Sequence, residues 1–248
     1  MKKAILAVSV GTSYDEAVRA CIQPIEDALR AAYPRYEVFR AFTSRMIIRR
    51  LKSRGISVDN EAEALARLMA EGYDDIVVAP THIIPGLEYE RILDAAAGRP
   101  ISAPLLADES DLEWMAAEMG AIAREEKRPL LLMGHGTGHA ADEIYSQLRA
   151  QLPRDVYIAC ADGKHTLDGL LPCLDAMPEK KIALMPLMLV AGAHAHNLLA
   201  GEGGDSWKSI LAAHGFDVRV RMQGLGELED VQRRFVEKTG RAMGIESR

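Results

Sequence analysis

Cysteine is scarce in this sequence: Cys21, Cys160 and Cys173 are the only three in 248 residues, and no C-x-x-C pair occurs. An odd, scattered set excludes a disulfide framework and a thiolate zinc site, and it fits a reducing, cytoplasmic setting. Long apolar runs are missing, so no segment reaches the roughly 18 residues of a membrane span. The G-x-G-x-x-G, Walker A and G-x-S-x-G motifs are missing as well, which leaves nucleotide binding and serine hydrolysis without support. Positive charge is not in excess. Lys and Arg number 30 against 36 Asp and Glu, a net charge of −6, and this gives no support to nucleic-acid binding. The start, Met1-Lys2-Lys3 before the apolar run 4–10, imitates a signal peptide. That run is at the short limit and no A-x-A site follows it, so a buried first strand is the better reading.

What is present is an ordinary globular composition, 48% hydrophobic and 27% charged, with length for one large domain or two small ones. Short apolar runs ended by Gly, Pro or Asp alternate with helical patterns. Strands are expected over 4–10, 38–42 and 76–79, with helices over 14–32, 45–53 (capped by Ser44) and 61–70. The second half repeats the pattern. Strands are expected over 130–133, 156–161 and 182–185, with a helix over 142–151. β-α-β-α-β order predicts a parallel sheet covered by helices on both faces.

The halves align on each other. Gly11 falls on Gly136 (136 − 11 = 125), Thr43 on Asp162 (162 − 43 = 119) and Pro80 on Pro186 (186 − 80 = 106). Ordered matches with shrinking offsets, in the punctuating residues as well as the apolar ones, point to an internal duplication. The expected fold is therefore α/β, with two similar lobes, each a parallel sheet flanked by helices, and a cleft between them. The lobes are expected over 1–125 and 126–226, followed by a helix over 227–248 that closes across the lobes, where Leu228, Val231, Phe235 and Met243 recur at near-helical spacing.

Ligands of parallel sheets bind beyond the carboxyl ends of the strands, and the informative residues stand there. His135 follows a strand between Gly134 and Gly136. An imidazole held in such a loop can ligate a metal, act as a base near neutral pH, or simply sit in a turn. His194 and His196 follow the last strand of the second half. They share a face only if that segment is extended, and a helix starting there turns His196 away. Asp162 ends the middle strand. Strands lie about 4.8 Å apart, so His135, Asp162 and His194 can converge. Two imidazoles and one carboxylate suit Co²⁺, Ni²⁺, Fe²⁺ or Zn²⁺ rather than Ca²⁺ or Mg²⁺. His139 reads as a helix start, His165 as exposed, and His214 as a helix C-terminal residue. In the first half, His82 occupies the matching strand end, lining the cleft or capping a loop. Arg40, Arg45, Arg49, Arg50 and Lys52 cluster after the second strand, with Arg45, Arg49 and Lys52 on one helix face. A solvated face and a site for a polycarboxylate both account for them.

Taken together, Ser9-Val-Gly-Thr-Ser13, Arg40-Ala-Phe-Thr-Ser44-Arg-Met-Ile-Ile-Arg49, Thr81-His-Ile-Ile-Pro-Gly86-Leu-Glu-Tyr-Glu90, Met133-Gly-His-Gly136, Met185-Pro-Leu-Met-Leu-Val-Ala-Gly192 and Gly204-Asp-Ser-Trp-Lys208 resemble the anaerobic cobaltochelatases of cobalamin biosynthesis. These are sirohydrochlorin cobaltochelatases, class II chelatases related to ferrochelatase. The resemblance runs to about Gly226. It implies a tetrapyrrole in the cleft, His135 as metal ligand and acceptor of pyrrole protons, and His194 as second ligand. It implies Asp162 at the place of a third ligand that is usually Glu, one methylene longer. It further implies Co²⁺ as substrate metal, no nucleotide, and Arg45, Arg49 and Lys208, with Thr12, Ser13 and His82, as contacts of the carboxylate-rich sirohydrochlorin. Insertion of Fe²⁺ or Ni²⁺ into a related tetrapyrrole, or a non-catalytic tetrapyrrole or metal carrier, uses the same residues. Nothing in the residues calls for nucleic acid or a membrane, and a homo-oligomer is compatible with them.

Overall fold

A computed structural model describes residues 2–245. In chain order its strands are β1 (Lys2–Ser9), β2 (Glu37–Phe42), β3 (Tyr73–Pro80), β4 (Leu130–Gly134), β5 (Val156–Cys160), β6 (Lys181–Pro186) and β7 (Asp217–Val220). Its α-helices are α1 (Asp15–Ala17), α2 (Gln23–Ala32), α3 (Arg45–Ser53), α4 (Glu61–Ala70), α5 (Leu87–Ala96), α6 (Glu109–Glu126), α7 (Glu143–Gln151), α8 (Leu167–Asp175), α9 (Trp207–Ala213) and α10 (Glu229–Ala242). A π-helical turn, Val18–Ile22, joins α1 to α2. Among the described residues no helix is long and apolar enough to cross a membrane.

The chain divides into two compact units, residues 2–107 with 226–245, and residues 108–225. The first holds a parallel sheet in the order β2-β1-β3, the second a parallel sheet in the order β5-β4-β6-β7. In each, the first strand is central, and it is buried (from Ala4 onward in β1, throughout β4) because helices cover both faces. One face of the first sheet carries Leu6, Val8 and Val78 against Leu65, Leu68 and Ile92. In the second, Leu131, Met133 and Leu184 pack with Leu170, Leu174 and Leu211. Local signals set the helix starts. Ser44 accepts the Ile47 N–H at 3.4 Å, and Asn60 forms a reciprocal capping box with Glu63.

Helix α6 differs from the expected partition at residue 125. Its buried Leu112, Met115, Ala116, Met119 and Ile122 face β4, β5 and α7, within the second unit. Helix α10 packs on α2 and β3 of the first unit through Val231 and Phe235, and the Val236 carbonyl accepts the Tyr33 hydroxyl at 2.8 Å.

The duplication is written in the backbone hydrogen bonds. Thr81 N–H donates to Val8 O, and Leu187 N–H donates to Met133 O, both at 2.8 Å. Gly86 N–H reaches Ile84 O as Gly192 N–H reaches Val190 O, both at 2.9 Å. Tyr14 N–H donates to the Thr12 hydroxyl as His139 N–H does to that of Thr137. The β6–β7 pairing of Leu184 with Val220 has a remnant in the first unit, a single bridge from Val78 to Ile101. One correspondence moves. Ser44 N–H donates to Val10 O and Asp162 N–H to His135 O, so Asp162 stands where Ser44 does (162 − 44 = 118), one residue from the match to Thr43. The first unit thus has Val10, Ser44 and Glu88 at the places of His135, Asp162 and His194.

Candidate metal centre

The loop after β4 is tightly constrained. Gly134 approaches Tyr145 and Cys160 so closely that an added Cβ would lie 2.9 Å from the Tyr145 ring and 3.0 Å from the Cys160 sulfur. Gly136 has φ +73°, and a Cβ there would overlap the Asp162 carbonyl. Between these glycines His135 projects outward, exposed. Its Nδ1 lies 2.7 Å from the Gly136 carbonyl oxygen. A carbonyl only accepts, so Nδ1 carries the proton and the lone pair resides on Nε2, the arrangement a metal-binding imidazole needs.

His194 lies past β6, where the chain has turned helical ahead of a π-helical turn, Ala195–Leu199. The rings of His135 and His194 stand edge to face, with centres 4.7 Å apart at 63°. An ion about 2.1 Å from each ligating nitrogen lies roughly 3.2 Å from each ring centre. Centres at this separation therefore leave a ligand–metal–ligand angle near 90°. Partial burial and the neighbouring His135 lower the His194 pKa, with Asp162 opposing them. The shift favours the neutral ring, the form in which an imidazole ligates a metal. His196 lies two residues on in a helical segment, on another face, and is exposed.

Asp162 is exposed at the end of the neighbouring strand, its N–H bound to the His135 carbonyl at 2.9 Å. Its charge reaches His194. Among the described residues, however, no group of three or more His, Cys, Asp or Glu side chains is placed to hold a metal ion. The imidazoles come together; the carboxylate does not complete a closed set with them. Cys160 is not a thiolate candidate, since burial and Asp142 push its thiol up to about 12. His139 caps a short 3₁₀ turn before α7, its Nδ1 accepting the Ala141 N–H at 3.2 Å. His165 is half-buried, its Nε2 lying 2.8 Å from the Ser146 hydroxyl. His214 pairs with Asp175 at 2.9 Å, past the end of α9.

Two residues of this loop region carry roles that the sequence pattern hides. Asp142, which reads as a simple helix start, is buried and accepts from Thr137 and Gly138. Tyr145 lies buried beneath the loop, and burial raises its phenol pKa. The only signal for either is its spacing of seven and ten residues from His135.

In the first unit the basic cluster is mostly spoken for. Arg40 makes a two-pronged bond to buried Glu26 at 2.6 and 2.8 Å, and Arg45 bonds buried Glu61 at 2.7 Å. Arg50 donates to the Ser13 hydroxyl at 3.4 Å. Among the described residues Arg49 and Lys52 are the members of this set whose side chains carry no partner. Thr12 is buried and Ser13 half-buried. His82 is 6% exposed, its Nε2 3.5 Å from the Thr43 hydroxyl and 3.8 Å from Glu88, and its Nδ1 has no partner. Burial, helped by Arg91, lowers its pKa to about 4. In the second unit Lys208 bonds Glu202 at 2.7 Å.

The family model described as cobalt chelatase (CbiK) matches residues 3–244. This chain belongs to the CbiK cobalt chelatase family. Among its relatives, the sirohydrochlorin cobaltochelatase of Salmonella typhimurium is 36% identical over 260 residues, covering 99% of this chain and 98% of that protein. The sirohydrochlorin cobaltochelatase CbiKC of Nitratidesulfovibrio vulgaris is 34% identical over 243 residues, covering 92% and 86%. For a cobalt chelatase the paired imidazoles are chemically apt. Neutral ring nitrogens bind a divalent ion of intermediate softness without the grip of thiolates, so the ion can leave.

Proposed function

We propose that this protein inserts Co²⁺ into sirohydrochlorin without a nucleotide. Family membership and the two relatives support the reaction. The observation that carries the chemistry is the His135–His194 pair, two imidazoles from separate loops close enough to share one ion. Insertion exchanges one M²⁺ for two pyrrole N–H protons. His135 Nε2 holds the ion, then takes one of the two protons when the ion moves to the ring nitrogens, and the other passes to solvent at this exposed strand end. The Nδ1–H bond to the Gly136 carbonyl steadies both the ligand and the resulting imidazolium. His194 is the second ligand, and Asp162, whose carboxylate does not close a set with the two rings, reaches the ion through a water. Fixing ion and ring against each other supplies the proximity.

Arg49, exposed and unpaired, is the first candidate for the substrate's carboxylates. Lys208 is available too, because its partner Glu202 is 89% exposed and is displaced at little cost. Arg45 shares its guanidinium with buried Glu61, so it contributes only its outer face. Ser13 lies at the same strand ends, while buried Thr12 and His82 shape them.

The test is insertion followed by absorbance, with Co²⁺, Fe²⁺ and Ni²⁺ compared on sirohydrochlorin and protoporphyrin. Co²⁺ with sirohydrochlorin is expected to turn over, and His135→Ala and His194→Ala to lower the rate by about 100-fold or more. Binding of ion and ring with no insertion by any ion assigns a carrier and overturns the proposal.

A further inference from the structure

We propose that Asp142 is the positioning residue of the metal centre, holding the His135 loop and the Asp162 loop in register without touching the ion. The inference rests on the proposed function for its consequence in turnover, and on geometry alone for its consequence in ion binding. Asp142 is 6% exposed. Its Oδ1 accepts the Thr137 N–H at 2.9 Å and the Thr137 hydroxyl at 3.1 Å, and its Oδ2 accepts the Gly138 N–H at 2.9 Å. These donors lie two and three residues after His135. The same Oδ2 packs on the neighbouring loop, where a Cβ at Gly163 would lie 2.7 Å from it. Gly163 follows Asp162, whose own N–H is bonded to the His135 carbonyl. One carboxylate therefore braces the segments that carry an imidazole and an acidic group of the site.

The first unit supplies the comparison. It repeats the strand ends and the threonine turn, with Tyr14 N–H on the Thr12 hydroxyl, but carries no imidazole at its tip. At the same offset of 125 the residue corresponding to Asp142 is Ala17 (142 − 125 = 17). The frame folds without the carboxylate; the copy that presents His135 has it. An amide cannot replace it. The substitution Asp142→Asn leaves one acceptor oxygen and turns an NH₂ toward a backbone N–H.

The experiment uses the full chain and Co²⁺ alone. Wild type and Asp142→Asn are titrated with Co²⁺, followed by its d–d absorption, and then assayed for insertion with each substrate varied. A core control, Ile182→Val, lowers the melting temperature without reaching the loop. Asp142→Asn is expected to weaken Co²⁺ binding by about 10- to 100-fold and to raise the KM for the ion while that for the tetrapyrrole stays within about twofold. Ile182→Val is expected to change neither. Should Asp142→Asn fail to fold, Thr137→Val removes one of the three bonds to Asp142, together with the His139 N–H bond to the same hydroxyl, and is expected to weaken the ion by about threefold or more. Co²⁺ binding within about twofold of wild type in a folded Asp142→Asn, or in Thr137→Val where that variant carries the test, overturns the inference. So does an equal loss in the control. Failure of wild type to insert any ion overturns the proposed function instead, and the titration still decides the role of Asp142.

Discussion

His82 offers a titration that can be weighed in advance. Its ring is buried, faces Thr43 and Glu88, and lies under the influence of Arg91, with a pKa of about 4. An unfolded chain gives the same ring a pKa near 6.5. Between those values the unfolded state binds a proton that the folded state refuses, so stability rises with pH through this window and falls as pH is lowered. The loss attributable to this single ring is about 2 kcal/mol at pH 5 and approaches about 3 kcal/mol below pH 4. His82→Gln keeps a neutral polar side chain and removes the titration. Urea unfolding of both proteins at pH 7.5 and pH 5 then isolates it, because the other titrating groups are common to both. The variant is expected to lose about 2 kcal/mol less than wild type on acidification, whatever its stability at pH 7.5. Parallel losses would refute the reasoning and place the ring in contact with water.

Two further outcomes follow from packing. Gly136→Ala forces a left-handed residue that costs about 1–2 kcal/mol and drives the Asp162 backbone from His135. Its melting temperature is expected to fall and its Co²⁺ affinity to drop at least about tenfold, as read by titration. Arg45 and Arg49 are expected to separate. Arg45→Ala leaves Glu61 buried without its partner and costs about 2 kcal/mol in urea unfolding, less than a wholly buried pair because Arg45 is 44% exposed. Arg49→Ala is expected to leave stability within about 0.5 kcal/mol and to raise the KM for the tetrapyrrole.

Strands β1, β3, β4, β5 and β6 were legible because each is a short, largely buried run punctuated by Gly, Pro or Asp, and α3 because Ser44 caps its first turn. Helix α8 hides behind Pro172 inside it, and β7 is a four-residue edge strand, Asp217-Val-Arg-Val220, with half its residues polar. In α6, alanine and glycine blur the apolar stripe. At the candidate site, the approach of His135 to His194 was readable from their places after strands. What was not readable is pairing at a distance. Arg40 and Arg45 count as free charge in a sequence, yet their partners Glu26 and Glu61 lie 14 and 16 residues away and are buried. Asp142 escaped for the opposite reason: an Asp before a helix has a sufficient local explanation. The one-residue shift that makes Asp162 correspond to Ser44 arises because β2 ends at Phe42 and β5 at Cys160, a spacing that residue likeness alone does not fix.

The doubled backbone pattern also gives the molecule an internal reference. A substitution at the strand ends of the first unit measures what the scaffold alone is worth, since Val10, Ser44 and Glu88 stand there in place of imidazoles and aspartate. The matching substitution in the second unit measures scaffold and ion together. Subtracting one from the other separates the energy of folding a strand-end loop from the energy of aiming it, within a single polypeptide.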